Sequence, residues 1–148
     1  MVTALSQTLS SDEYRQPEWP GAGTSPSLVF QVPSHLGPVV SQLAELESLR
    51  PGWNSYGAPR ISWTAINAAI QLLVSYHWDG PLPCVSPTSR GGVQLEWGGD
   101  EDGVEVELSS DGSISALVDV NGEMQEHNIV GLSDPLLADA LTWAEKLA

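Results

Sequence analysis

Cysteine is almost absent from this 148-residue chain: Cys84 stands alone, so no internal disulfide can form. A chain of this length hides roughly 70% of its unfolded surface on folding and needs no such staple. Cations are nearly as scarce, with 5 Lys and Arg against 19 Asp and Glu and a formal net charge of −14. That balance repels nucleic acid and anionic membrane surfaces and favours encounter with basic proteins. No apolar run approaches the roughly 20 residues of a membrane span. The opening MVTALSQTLSSDEYRQ has neither a basic start nor a signal-length apolar core. The expectation is a soluble, cytoplasmic protein, for which acidity also serves solubility.

Catalytic signatures are missing too. There is no GxxxxGK[ST] or GxGxxG phosphate cradle and no GxSxG elbow. His35, His77 and His127 are scattered, with no i,i+4 pair and no cysteine pair beside them, which fits neither a zinc site nor a triad. Cys84 has no histidine partner in sequence and reads as a buried structural thiol. These absences point to a protein that is not an enzyme and needs no cofactor.

What is present is strand periodicity. Val93, Leu95 and Trp97 alternate with Gln94 and Glu96; Val104, Val106 and Leu108 alternate with Glu105 and Glu107. Ile114, Ala116, Val118 and Val120 alternate with Ser115, Leu117 and Asp119. Period-two alternation predicts a half-buried antiparallel sheet. Gly98 to Gly103 reads as a hairpin loop, Asp111-Gly112 as a tight turn, and Asn121-Gly122 as a type I′ turn. The last of these predicts a fourth strand over Glu123 to Val130. Val85 reads only as an extended approach to the sheet.

Helical spacing frames the strands. Leu36, Val39, Val40, Leu43, Leu46 and Leu49 form one stripe, stopped by Pro51-Gly52. Ser62 is a predicted N-cap for a helix from Trp63 to about His77, with Ile66, Ala69, Ile70, Leu73 and Val74 as its apolar face. Asp134 and Pro135 predict the N-cap and first residue of a last helix. The predicted fold is α+β: a four-stranded antiparallel meander packed against two N-terminal helices and one C-terminal helix. Residues 1–27, rich in Ser, Thr, Pro and Gly, read as a flexible arm, and 28–148 as a single domain, with a short edge strand over Leu28 to Val32.

Two constellations carry functional weight. Glu96, Glu105 and Glu107 project from the polar face of adjacent strands, and Asp100, Glu101 and Asp102 sit at the hairpin tip. Crowded like charges cost free energy unless something offsets them. Three readings compete: a solvated face, a landing surface for a basic protein partner (including one that itself binds nucleic acid), and a divalent-cation site of Asp100, Asp102 and Glu105. The second constellation is the aromatic loop RPGWNSYGAPRIS, residues 50–62. Trp53, Asn54 and Tyr56 are candidates either for a packed corner or for the wall of a small-molecule pocket between the loop and the sheet, and Arg90 either for pairing with a strand glutamate or for gripping an anionic group in that pocket.

The segments LRPGWNSYGAPRIS, PTSRGGVQLEW and VEVELSSDGSI together resemble an uncharacterised family of small bacterial and phage proteins. That family shares a GWDGxGA-type loop and a PTxxGG[IV]xLEW strand. The resemblance spans about residues 46–118; this chain has Asn54-Ser55 where the family's loop carries Asp-Gly, so no acidic role carries over to that position. It implies a bacterial or mobile-element setting and no activity. With the charge, it leads to the expectation of a non-enzymatic acidic interaction protein, an antitoxin-like or phage anti-defence inhibitor. The alternative is a small-molecule or divalent-metal-binding domain, and self-association as a homo-oligomer is a further expectation.

Overall fold

The structure, a computed structural model, describes residues 32–147. The expected arm, 1–27, and all but the last residue of the strand expected over Leu28 to Val32 lie outside them. The chain divides into two units after Pro38. Of the first unit the described part is short: Pro33 leads a 3-10 turn, Ser34–Leu36, closed by the Leu36 N–H on the Pro33 carbonyl at 3.0 Å.

Helix α1 spans Gly37–Glu47, with Pro38 in its first turn, where a missing N–H costs nothing. Val39, Leu43 and Leu46 are its buried side chains. It stops short of Pro51: Ser48 turns its hydroxyl and its N–H onto the Glu45 carbonyl, a 3-10-type bond that tightens the last turn and ends the helix. Helix α2, Trp63–Ser75, starts as the sequence predicts, with the Ser62 hydroxyl accepting the Ala65 N–H at 3.0 Å.

The sheet corrects the predicted strand count. It has five antiparallel strands in sequential order, not four: β1 (Cys84–Pro87), β2 (Val93–Gly98), β3 (Gly103–Leu108), β4 (Ile114–Val120) and β5 (Glu123–Ile129). The missed strand, β1, is four residues long, follows Pro83 and ends in Pro87, and so shows no alternation to read. As an edge strand it tolerates proline, because one side of its backbone has no ladder to break. It pairs with β2 from Cys84 opposite Glu96 to Pro87 opposite Val93. PTSRGG is therefore a hairpin turn rather than a lead-in. The Thr88 N–H meets the Gly92 carbonyl and the Gly91 N–H returns to the Thr88 carbonyl, each at 3.0 Å, with Gly91 at φ +88°. The β3–β4 turn has the same build, with Ser109 to Ser113 and Gly112 at φ +92°.

The β4–β5 hairpin follows its predicted turn. Asn121 and Gly122 both hold positive φ, and Val120 faces Glu123. Register then carries one face across the whole sheet: Val93, Leu108, Ile114 and Ile129 form one row, and Leu95, Val106, Ala116 and His127 the next. Helix α2 packs across β2 and β3, and α3 (Pro135–Glu145) across β3, β4 and β5. The core between them is deepest at Val93, Leu95, Val104, Val106 and Leu108. It thins toward β4, where of the four predicted inward residues Ala116 is buried and the other three half-buried.

Four side chains hold the frame. The Trp78 and Trp97 indoles, 5.2 Å apart and tilted, both donate to the Pro81 carbonyl at 2.8 Å. The Tyr76 hydroxyl, at the end of α2, donates to the Leu132 carbonyl in the β5–α3 link. Asp134 uses both carboxylate oxygens, taking the Leu136 N–H at 2.9 Å and the Val130 N–H at 2.8 Å. Those bonds hold its pKa below the ordinary value. Its contribution to stability is therefore present above the unfolded aspartate pKa and is lost as pH falls through the lower folded value. Asp134→Ala is expected to lower the melting temperature, and more so at pH 7 than at pH 3, whereas Asp134→Asn keeps one acceptor and loses less. A melting temperature unchanged in the alanine variant at both pH values would dismiss this role for the cap.

Candidate functional site

The pairing that buries the apolar rows turns the alternate residues to the opposite face. Glu96 faces Glu105 directly, Glu107 faces Gln94, and all are half-buried. Opposed residues in an antiparallel pair hold their Cβ atoms about 5 Å apart. Burial, then the Glu96 charge, pushes the Glu105 pKa up. For an acid raised in the folded state, the sign is adverse at neutral pH. Stability is full below the unfolded glutamate pKa and is lost as pH rises through the folded value. Glu105→Gln should therefore stabilise the protein at pH 7 by about 0.2–1 kcal/mol, the range for opposed like charges, and should bring nothing below pH 4. Urea titrations at the two pH values read this directly; a gain that persists at low pH would mean the charge is not its source.

Two acids on this face escaped the sequence reading of the site. Asp119 lies opposite Gly103 and Met124, and Glu126 opposite Leu117, which itself faces Glu105. The signal was present: the Asn121-Gly122 turn sets Val120 against Glu123, and counting back from it places Glu126 on the Glu105 face. One carboxylate oxygen of Asp119 is buried without a hydrogen-bond partner.

The hairpin-tip acids divide by role. Asp100 and Glu101 are exposed. Asp102 accepts the Asn121 N–H at 2.9 Å and so ties the β2–β3 loop to the β4–β5 turn. Asp102→Ala is expected to speed amide exchange at Asn121 with little effect at the opposite end of the sheet; unchanged exchange there would refute the tie. Asp100, Asp102 and Glu105 do not form a cation site. Among the described residues no group of three or more His, Cys, Asp or Glu is arranged to hold a metal ion. One carboxylate oxygen of Asp102 is engaged in its backbone bond, and Glu105 is turned to Glu96.

The aromatic loop is built differently from its reading as a packed corner. Asn54 folds back, its carboxamide oxygen taking the Tyr56 and Ala58 N–H groups at 2.9 and 3.1 Å. Trp53 is half-buried and donates to the Pro59 carbonyl at 3.2 Å. Tyr56 is 90% exposed, held out by Ser55 and Gly57 at positive φ. The loop does reach the sheet, with the Ser62 N–H on the Gly91 carbonyl at 2.8 Å, so residues 50–62 and the PTSRGG turn meet at one end of it. Arg90 is exposed in that β1–β2 turn, at the end of the sheet opposite Asp100 to Asp102. Cys84 is exposed, not buried as expected, because it opens edge strand β1 on the acidic face.

A groove of about 610 Å³ lies elsewhere, between α3 and the β4–β5 hairpin. Val118, Val120, Leu136 and Trp143 give it apolar walls. Glu123, His127 and Asp139 are among its polar groups. His127 thus stands on the core face of β5, opposite Ala116 and away from the sheet carboxylates. None of Trp53, Asn54, Tyr56 and Arg90 lines this groove.

No family model, curated protein or solved structure matches the chain. No helix among the described residues is long and apolar enough to cross a membrane.

Proposed function

We propose that the protein is a non-enzymatic interaction protein whose acidic sheet face engages a basic protein surface, including that of a nucleic-acid-binding protein. The observation that carries this reading is the Glu96–Glu105 opposition, flanked on the same face by Glu107, Asp119 and Glu126. Burial and the Glu96 charge raise the cost of ionising Glu105, and a cationic side chain placed between the two glutamates lowers that cost on binding. Surface charge of this kind sets encounter rate and partner choice more than affinity. An antitoxin-like or phage anti-defence inhibitor is the biological role such a face would serve, by occupying the basic surface its target uses for nucleic acid.

Protamine is a suitable basic probe. The triple variant Glu96→Gln, Glu105→Gln, Glu107→Gln should bind it at least about tenfold more weakly, whereas the charge-matched Glu45→Gln, Glu47→Gln, Asp79→Asn should lose no more than about threefold. Wild-type affinity should fall with added salt. Equal losses in the two variants would reduce the effect to net charge and remove the sheet face as a site.

A further inference from the structure

We propose that the free edge of β5, with the groove beside it, takes up an extended basic segment of a partner protein as a sixth strand. This goes beyond the sheet-face reading and uses the edge of the sheet, which shares Glu126 with that face.

Among the described residues the two edges of the sheet are β1 and β5, and they are protected unequally. Natural edges are blunted by shortness, proline, lysine or bulges. Strand β1 is four residues long and carries Pro87. Strand β5 is seven residues long, pairs one-to-one with β4 without a bulge, and holds neither proline nor lysine. Around a two-residue turn the flanking pair, Val120 and Glu123, exchanges both ladder bonds, and bonded and non-bonded pairs alternate from there. Gln125, His127 and Ile129 therefore bond toward β4. The N–H and C=O groups of Met124, Glu126 and Asn128 point away from the sheet, where they form the repeating pattern that an added strand needs.

Side chains settle which strand fits. Toward the core side, an incoming strand meets Leu136 and Trp143, apolar residues of α3 that are 41% and 37% exposed. Acids stand on both sides of the edge: Glu123 and Asp139 in the groove and Glu126 on the outer face. The nearby cation, Lys146, is held 5.5 Å over the Trp143 ring. A second copy of β5 would set glutamates against glutamates, which disfavours self-pairing. A strand alternating basic and apolar residues places its cations on the outer face, by Glu126, and its apolar side chains on the groove face, against Leu136 and Trp143.

The test uses the full chain and the peptide acetyl-Lys-Val-Lys-Val-Lys-Val-Lys-amide. In the free protein, the amides of Met124, Glu126 and Asn128 should exchange rapidly, and saturating peptide should slow them by about tenfold or more, as edge pairing requires. Peptide N-methylated at alternate residues, or with Glu for Lys, should bind at least about tenfold more weakly. Glu126→Pro removes an outward N–H without touching the β4 ladder and should weaken binding by a similar factor while leaving the melt nearly unchanged. If that variant unfolds, the N-methyl peptide makes the same test from the ligand side. The triple variant on the sheet face should bind this peptide within about threefold of wild type, so loss of one reading leaves the other standing. Amides already protected in the free protein would overturn the proposal, light scattering then showing whether a second copy covers the edge. Undiminished binding of the N-methylated or glutamate peptide would overturn it equally.

Discussion

Replacing Trp97 by alanine is expected to lower stability by about 3–5 kcal/mol, the cost of truncating a large buried aromatic. For a domain of this size that corresponds to a fall in melting temperature of roughly 6–20 °C. The side chain is 2% exposed, faces Val104 across the ladder, and donates its N–H to the Pro81 carbonyl. Its removal empties the space beside Trp78 and leaves the connector between α2 and β1 held at Pro81 by Trp78. Trp97→Phe separates packing from hydrogen bonding. It keeps most of the ring contact, and because Pro81 retains the Trp78 donor, no acceptor is orphaned; its cost should be about 1–2 kcal/mol. Chemical denaturation followed by far-ultraviolet circular dichroism measures both. A loss below 1 kcal/mol for the alanine variant would show that the indole pair does not hold this corner.

Gly98→Ala is expected to cost about 3 kcal/mol or more, although it adds one methyl group. Gly98 ends β2 at φ +96°, a conformation that side chains rarely adopt. A Cβ there would collide with the Asp102 carbonyl oxygen and lie 2.8 Å from the Gly103 Cα. Both obstacles are backbone of the same hairpin and cannot step aside without opening the Gly98–Gly103 pair. The neighbouring Gly99→Ala is the control, since a Cβ at that position meets nothing within 4 Å; its cost should stay within about 1 kcal/mol. Thermal melts of the two variants decide the matter. Equal effects would mean that the hairpin tip adapts as a whole and that Gly98 is not the rigid point.

The second substitution also bears on function, because the Gly98–Gly103 hairpin sets the register that opposes Glu96 to Glu105. A variant that remained folded with a shifted β2–β3 register would move one glutamate to the core side, since one residue of slip inverts every side chain. It would fold poorly for that reason. The apolar rows and the acidic face are the same pairing seen from two sides.

Sequence alone determined the parts of this protein that depend on near neighbours. Alternation in 93–97, 104–108 and 114–120 set three strands and their faces, Asn121-Gly122 the fourth hairpin arm and its register, and Ser62 and Asp134 the starts of two helices. Those signals are local, so a single reading of the chain contains them. Tertiary structure decided what depends on a distant partner. Strand β1 exists because β2 offers it a ladder, not because Cys84–Pro87 has strand character of its own. Asp102 became a tie rather than a ligand because Asn121 arrives from nineteen residues away. Tyr56 points outward because Asn54 closes the loop beneath it, and the groove beside β5 opens where α3 crosses a core that has already thinned at β4.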